Sequence, residues 1–172
     1  MLEKVKNFIF GAHRTPKTEA RKYIFGATTA IITNMALIIG LHNSANAKMG
    51  IIGGLLVIAI ADNISDALGI HIYQEAEDIN YREVWIGTFT NFLARFFVSL
   101  GFILIVWFAP ADIGMYLALS YGLTLLAVFS VIIARIKKKS ALASVIEHLG
   151  IAIGVMVLSK YVGGFITKSV GN

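Results

Sequence analysis

The sequence predicts an all-α membrane protein built as a bundle of five transmembrane helices. Of its 172 residues, 57% are hydrophobic and 15% are charged, against about 45–50% and 25% in ordinary globular chains. A soluble domain of this size could not bury so much apolar surface. Helices are expected because lipid offers no hydrogen-bond partner to the backbone, so each span must satisfy its own polar groups.

Five apolar stretches have the length of about 20 residues that a helix needs to cross a hydrocarbon core. The predicted spans cover residues 23–41, 51–73, 86–108, 113–135 and 142–166. Short loops join them, so one transmembrane domain is expected over residues 23–166, between a basic tail over 1–22 and a short tail over 167–172.

The basic residues predict the orientation of the bundle. Eleven of the 15 Lys and Arg residues flank the spans on one side, whereas only Lys48, Lys160 and Lys168 flank them on the other. Loops on the cytoplasmic side of a membrane carry the excess of Lys and Arg. We therefore expect the N-terminus in the cytosol and, with five spans, the C-terminus on the opposite side.

The first and second spans carry the polar residues that suggest a site. Thr29 lies in the first span, and Asp62, Asn63 and Asp66 lie in the second, where Asp62 is the midpoint. Residues four apart share a face of a helix, so Asp62 and Asp66 are predicted to face the same way. The predicted cytosolic entrance consists of the acidic residues at the inner end of that span: Glu75, Glu77 and Asp78.

The third span adds Asn91 and Arg95. Arg95 is predicted to lie level with the aspartates of the antiparallel second span, close enough to pair with Asp62, Asp66 or both. Ionisable groups at membrane depth are costly and mark functional sites. Under a structural interpretation, Arg95 neutralises one aspartate and the polar groups cross-link helices. Under a functional interpretation, two aspartates with one arginine leave a surplus negative charge, and the aspartates bind a cation or carry protons.

The fourth span is apolar and ends in a basic turn, and the fifth carries Glu147 near its inner end. Glu147 and, from the second span, His71 are candidate accessory groups. The chain has no cysteine, and ligation by Asp, Asn, Thr and His suits hard or borderline divalent ions such as Mg, Mn or Fe(II). We find no enzyme signature such as HExxH or a phosphate loop, and the basic residues lack the pattern of a nucleic-acid module.

The chain resembles the vacuolar iron transporter family from residue 23 to about residue 166. The resemblance rests on "YIFGATTAIITNMALIIGL", with Gly26 and Gly40 at matching places, on "IAIADNISDALGIHIYQEAED", and on "ARIKKKSALASVIEHLGIAIGVMVLSKYVGGF". It implies a homodimer that exports divalent iron or manganese from the cytosol in exchange for protons, with the ion path between subunits. The family's first-span aspartate falls on Thr29 and its second-span methionine on Asp66, and its large cytosolic metal-binding domain is absent.

We therefore expect a divalent metal cation transporter, with iron or manganese ahead of magnesium as the transported substrate and no permanently bound cofactor. The predicted ion path consists of Asp62, Asp66, Asn63, Thr29 and Asn91, with Arg95 as ion-pair partner. The expected partners are the lipid bilayer and a second copy of the chain, in the plasma or inner membrane of a prokaryote or a vacuole-type membrane of a eukaryote. The alternatives are a non-transporting scaffold or partner subunit with the same fold, and an organic-cation or proton-linked solute carrier.

Overall fold

The computed structural model describes residues 16–170, with side chains described for residues 24, 26–110 and 113–169. Throughout this part of the chain the regular structure is helical. The helices are α1 (Pro16–Leu41), α2 (Ala47–Ala76), α3 (Tyr81–Phe108), α4 (Ala111–Lys137) and α5 (Ala141–Val170). The all-α bundle predicted from composition is confirmed.

Four of these helices, α2 to α5, are long and apolar enough to cross a membrane. The first helix contributes a shorter apolar stretch, Gly26–Leu41, within its 26 residues. Only 11% of the most apolar window of α5 is buried inside the protein, and large apolar side chains such as Leu158 and Phe165 lie exposed on it. Such a surface requires an apolar solvent, so the chain is a multi-pass membrane protein that associates with the bilayer.

The helices extend beyond the predicted spans at their ends. Helix α1 begins at Pro16, so residues 16–22 of the expected basic tail are helical, and proline is favoured at a first helical position. Helix α5 continues to Val170, into the expected C-terminal tail. Hydropathy identifies only the apolar part of a helix. Polar residues at the membrane surface can continue the same helix, so its ends lie beyond the apolar stretch. Residues 1–15 of the predicted tail lie outside the described residues.

Helix α1 is the centre of the bundle, where it contacts all four other helices. Its core residues Ile31, Met35 and Ile38 have no exposed surface. At one end of α1, Gly40 lies so close to α5 that a Cβ on Gly163 would stand 1.9 Å from the Gly40 carbonyl oxygen. A second close approach, between Gly26 of α1 and Asn91 of α3, belongs to the site described below.

Helix α2 changes its hydrogen-bond pattern in mid-span. Between Ala47–Val57 and Asn63–Ala76 it contains a π-helical turn, Ile58–Asp62. Such turns are rare and occur often at functional sites. The side-chain amide of Asn63 donates to the Ala59 carbonyl oxygen at 3.1 Å, so it satisfies an acceptor within the widened turn. The π turn ends at Asp62, the first of the two predicted site aspartates.

Candidate functional site

Arg95, on α3, is the centre of the site, and the residue is 1% exposed. Its Nε donates to the Oδ1 of Asn63 at 3.0 Å. Its Nη1 donates to the Thr29 hydroxyl and, at 3.5 Å, to the Gly26 carbonyl oxygen of α1. One buried side chain therefore ties three helices together.

Both predicted aspartates bind the remaining nitrogen of Arg95. Nη2 lies 2.9 Å from Oδ2 of Asp62 and 2.6 Å from Oδ2 of Asp66. The side chains of Asp62 and Asp66 are 41% and 49% exposed, whereas that of Arg95 is 2% exposed. The spacing of the aspartates had predicted that one or both would pair with Arg95, and both do. Two carboxylates and one guanidinium leave one surplus negative charge when both acids are ionised.

A cavity of about 540 Å³ opens beside Asp66 and Arg95. It brings together four residues of the predicted site, namely Thr29, Asp66, Asn91 and Arg95, with six others that the prediction of the site did not include. These six are Ser65, Gly69, Ile70, Tyr73, Gln74 and Gly87. Asp62 and Asn63 contact Arg95 but are not part of the cavity wall.

Two of the residues that line the cavity, Asn91 and Gln74, have buried amide atoms without a hydrogen-bond partner among the described residues. Asn91 is 1% exposed, and neither its Nδ2 nor its Oδ1 has a hydrogen-bond partner among the described residues. The same holds for Oε1 of Gln74, a residue that is 6% exposed. An unsatisfied buried polar group costs about 1–3 kcal/mol.

Glycines make room for both amides. A Cβ on Gly26 would stand 1.9 Å from Oδ1 of Asn91, and a Cβ on Gly87 would stand 2.7 Å from Oε1 of Gln74. Each amide therefore lies against the bare backbone of a neighbouring helix. This arrangement explains the position of Gly26, which in the sequence was part of a family resemblance and had no assigned contact.

The spacing of residues along α2 also indicates Gln74, which is not among the predicted site residues. Along α2, Asp62, Asp66, Ile70 and Gln74 are spaced by four, as are Gly87, Asn91 and Arg95 along α3. Residues at steps of four form one row on a helix surface. The cavity lies where these two rows meet, so the row that identified the aspartates also leads to Gln74.

The predicted entrance residues lie outside the cavity wall. Glu75, Glu77 and Asp78 are exposed at the end of α2 and in the turn that precedes α3. Asp78 has a positive φ of 53°, a conformation that aspartate tolerates better than most residues. The three acids form an exposed acidic surface at the end of α2.

The two candidate accessory residues also lie apart from Arg95. His71 contacts α3 through Nδ1, 3.0 Å from Oγ1 of Thr88, and its ring meets Trp85 edge-on at 4.7 Å. It lines a separate apolar groove of about 280 Å³. Glu147 is exposed on α5, and its neighbour His148 contacts Ser130 of α4 at 2.8 Å.

No group of three or more His, Asp or Glu side chains that could hold a metal ion occurs within the described residues. The densest acidic group inside the bundle is the pair Asp62 and Asp66. Both carboxylates contact the same nitrogen of Arg95, and only that of Asp66 lines the cavity. The arrangement is oxygen-rich and carries a net negative charge, which suits hard cations.

In comparisons with protein-family models, with curated proteins and with solved structures, no match to this chain was found. The resemblance to the vacuolar iron transporter family therefore stays a prediction.

Proposed function

We propose that the protein is a membrane transporter of a divalent metal cation, iron or manganese in class, that exports the ion from the cytosol in exchange for protons. One observation supports cation binding above all others. Two half-exposed aspartates share a single buried arginine beside a cavity, and their charges do not cancel. The metal class, the direction and the proton coupling rest on the family resemblance alone.

In the proposed mechanism, the cation competes with Arg95 for the carboxylates. An ion that enters the cavity meets Asp66 first, because Asp66 is on its wall and Asp62 is not. Binding there weakens the contact between Asp66 and Nη2 of Arg95. Arg95 keeps Asn63 and Thr29 as partners, so it stays in place while the balance of charge between α2 and α3 changes. A ligand shifts a conformational equilibrium when it binds one conformation more tightly than the other.

A second copy of the chain is part of the proposal. Ser65 and Asp66 are exposed in the middle of α2, at the depth of the hydrocarbon core. A carboxylate that faced lipid at this depth would be costly. A partner subunit on this face would cover it and would close the cavity on its open side, which supports a homodimer with the ion site near the interface.

A scaffold or partner subunit without transport is the second candidate. The observation that favours it is the bonding of Arg95, since each of the three nitrogens of its guanidinium has a protein partner. A side chain held in this way suits a fixed cross-link between three helices. The two candidates differ in whether a cation changes the stability of the protein.

Thermal unfolding of the detergent-purified protein tests the proposal. Ions that bind the folded state raise the melting temperature in proportion to the logarithm of their concentration. Mg, Ca, Mn, Fe(II), Co and Zn are compared on the wild type, on Asp66→Asn and on the control Glu83→Gln, which removes an exposed acid from the first turn of α3. We expect Mn or Fe(II) to stabilise the wild type and the control but not Asp66→Asn. No response to any metal would favour the scaffold.

A further inference from the structure

We propose that the turn between α4 and α5 binds the phosphate headgroup of an anionic phospholipid. This basic turn carries Arg135, Lys137, Lys138 and Lys139, and all four residues are exposed. It is a binding surface separate from Arg95 and its cavity. The proposal does not depend on the proposed transport of a cation.

The first support is positive charge that the protein does not neutralise. The basic turn places four positive charges within residues 135–139, and none of the four side chains makes an ion pair or a hydrogen bond in the described part of the chain. The next acid along the chain, Glu147, lies about 9 Å further along α5 than Ala141, at 1.5 Å per residue. Like charges this close repel one another, and a bound anion would relieve that repulsion.

The second support is a backbone that holds the lysines in place. Lys138 has a positive φ of 53° where α4 ends, a position at which glycine is the usual residue. The N–H of Lys139 donates to the Ala134 carbonyl oxygen at 2.9 Å. At the start of α5, Oγ of Ser140 accepts from the N–H of Ala143 at 3.4 Å. Hydrogen bonds therefore close the turn on both sides, and a charged side chain occupies the position where glycine would be less strained.

The third support is the apolar surface beside the basic turn. Leu142 and Ile146, one helical turn apart on α5, are 70% and 63% exposed. Helices α4 and α5 are both long and apolar enough to cross a membrane, so the turn that joins them lies at the membrane surface. A phospholipid matches both features, with its phosphate at the lysines and its acyl chains against Leu142 and Ile146. A free phosphate or a nucleic acid would match the charge alone.

The fourth support is the side of the membrane. Consecutive helices joined by short turns run antiparallel, so the basic turn lies at the same end of the bundle as the end of α2. Sequence predicts this end to be cytosolic, and anionic lipids are concentrated in the cytoplasmic leaflet. Each Lys or Arg near such a surface strengthens the attraction about fivefold. The acidic surface of Glu75, Glu77 and Asp78 would repel the same headgroup, which favours the basic turn as its place of binding.

Native mass spectrometry of the full-length protein tests the proposal. The detergent-purified protein is mixed with equal amounts of a phosphatidylglycerol and a phosphatidylcholine that have the same acyl chains, and the lipids that stay bound are counted. We expect the wild type to bind the anionic lipid about tenfold or more tightly than the zwitterionic lipid, since several basic residues contribute about fivefold each.

A triple variant localises the binding. Lys137→Gln, Lys138→Gln and Lys139→Gln together should weaken binding of phosphatidylglycerol about tenfold or more and leave binding of phosphatidylcholine unchanged. The matched control removes three exposed lysines from the other flanks of the spans, with Lys48→Gln, Lys160→Gln and Lys168→Gln. The control should keep the wild-type preference, because the basic turn is intact in it.

Lys138→Gly separates loss of binding from loss of folding. It removes one charge and also relieves the left-handed backbone, which glycine adopts without steric cost. We expect it to melt no lower than the wild type in neutral detergent and yet to bind phosphatidylglycerol about fivefold more weakly. Wild-type affinity in Lys138→Gly and in the triple variant would overturn the proposal.

The remaining outcomes distinguish other occupants of the basic turn. Equal binding of both lipids by the wild type, or an equal loss in the control, would refute a lipid site at this turn. Stabilisation of the wild type by inorganic phosphate as large as that by phosphatidylglycerol would assign the turn to free phosphate instead. A dimer that forms without lipid and dissociates in the triple variant would assign it to the acidic surface of a second copy.

Discussion

Replacement of Arg95 by methionine is the most informative perturbation of the fold. The change keeps much of the apolar volume of the side chain and removes the guanidinium. It leaves the carboxylates of Asp62 and Asp66 without their counter-charge and Oδ1 of Asn63 without its donor. We expect Arg95→Met to destabilise the protein strongly.

The expected loss of stability can be estimated from how deeply the ion pairs of Arg95 are buried. Removal of one partner from a buried ion pair costs about 3–5 kcal/mol. The aspartates are 41% and 49% exposed, so the low end, about 3 kcal/mol, applies. For a chain of this size, each kcal/mol lowers the melting temperature by about 2–4 °C. Arg95→Met should therefore melt about 6–12 °C below the wild type.

Thermal unfolding in detergent measures this loss, and a triple variant tests its cause. When Asp62→Asn and Asp66→Asn accompany Arg95→Met, no uncompensated charge remains, and at least half of the lost stability should return. Arg95→Lys keeps the charge but offers three donors from one nitrogen, which cannot reach the acceptors on both α1 and α2. Its melting temperature should lie between those of Arg95→Met and the wild type.

A melting temperature of Arg95→Met equal to that of the wild type would refute the ion-pair network as a stabilising element. A triple variant no more stable than Arg95→Met would show that the loss comes from packing and not from unpaired charge.

Two further predictions concern close helix contacts. Gly26→Ala places a methyl group 1.9 Å from Oδ1 of Asn91, and it should cost about 1–3 kcal/mol in unfolding experiments. Gly163→Ala places a methyl group 1.9 Å from the carbonyl oxygen of Gly40, where backbone cannot yield, and it should cost about as much or more. Gly164→Ala is the control for both, because nothing lies within 4 Å of its added carbon. Equal stability of all three variants would contradict the helix packing.

The sequence contained enough to predict the bundle and the charged centre of the site. Apolar stretches of about 20 residues determine where helices cross a membrane, and spacing by four placed Asp62 and Asp66 on one face. The antiparallel order of two spans then placed Arg95 level with them. These are properties of single helices and their connections, which is why they could be inferred without a structure.

The rest depends on contacts between helices, which no pattern within one helix specifies. The π turn Ile58–Asp62 contains neither proline nor glycine that would mark it. Spacing by four places Gln74 in the row of the aspartates, but its burial depends on the close approach of Gly87 on α3, which that spacing does not reveal. His71 has a polar group suited to a site, yet its position opposite Thr88 and Trp85 is fixed by the rotation of α2 about its own axis.

Manganese uptake by proteoliposomes is the most direct test of the central claim that Asp66 is part of a transport site for cations. Wild type, Asp66→Asn and the control Glu83→Gln are reconstituted into vesicles at equal amounts of folded protein. The initial rate of Mn²⁺ uptake is then measured with Mn²⁺ outside the vesicles. We predict that Asp66→Asn lowers the rate at least tenfold and that the control keeps the wild-type rate. Uptake by Asp66→Asn at the wild-type rate, or no uptake by the wild type in either orientation, would contradict the claim.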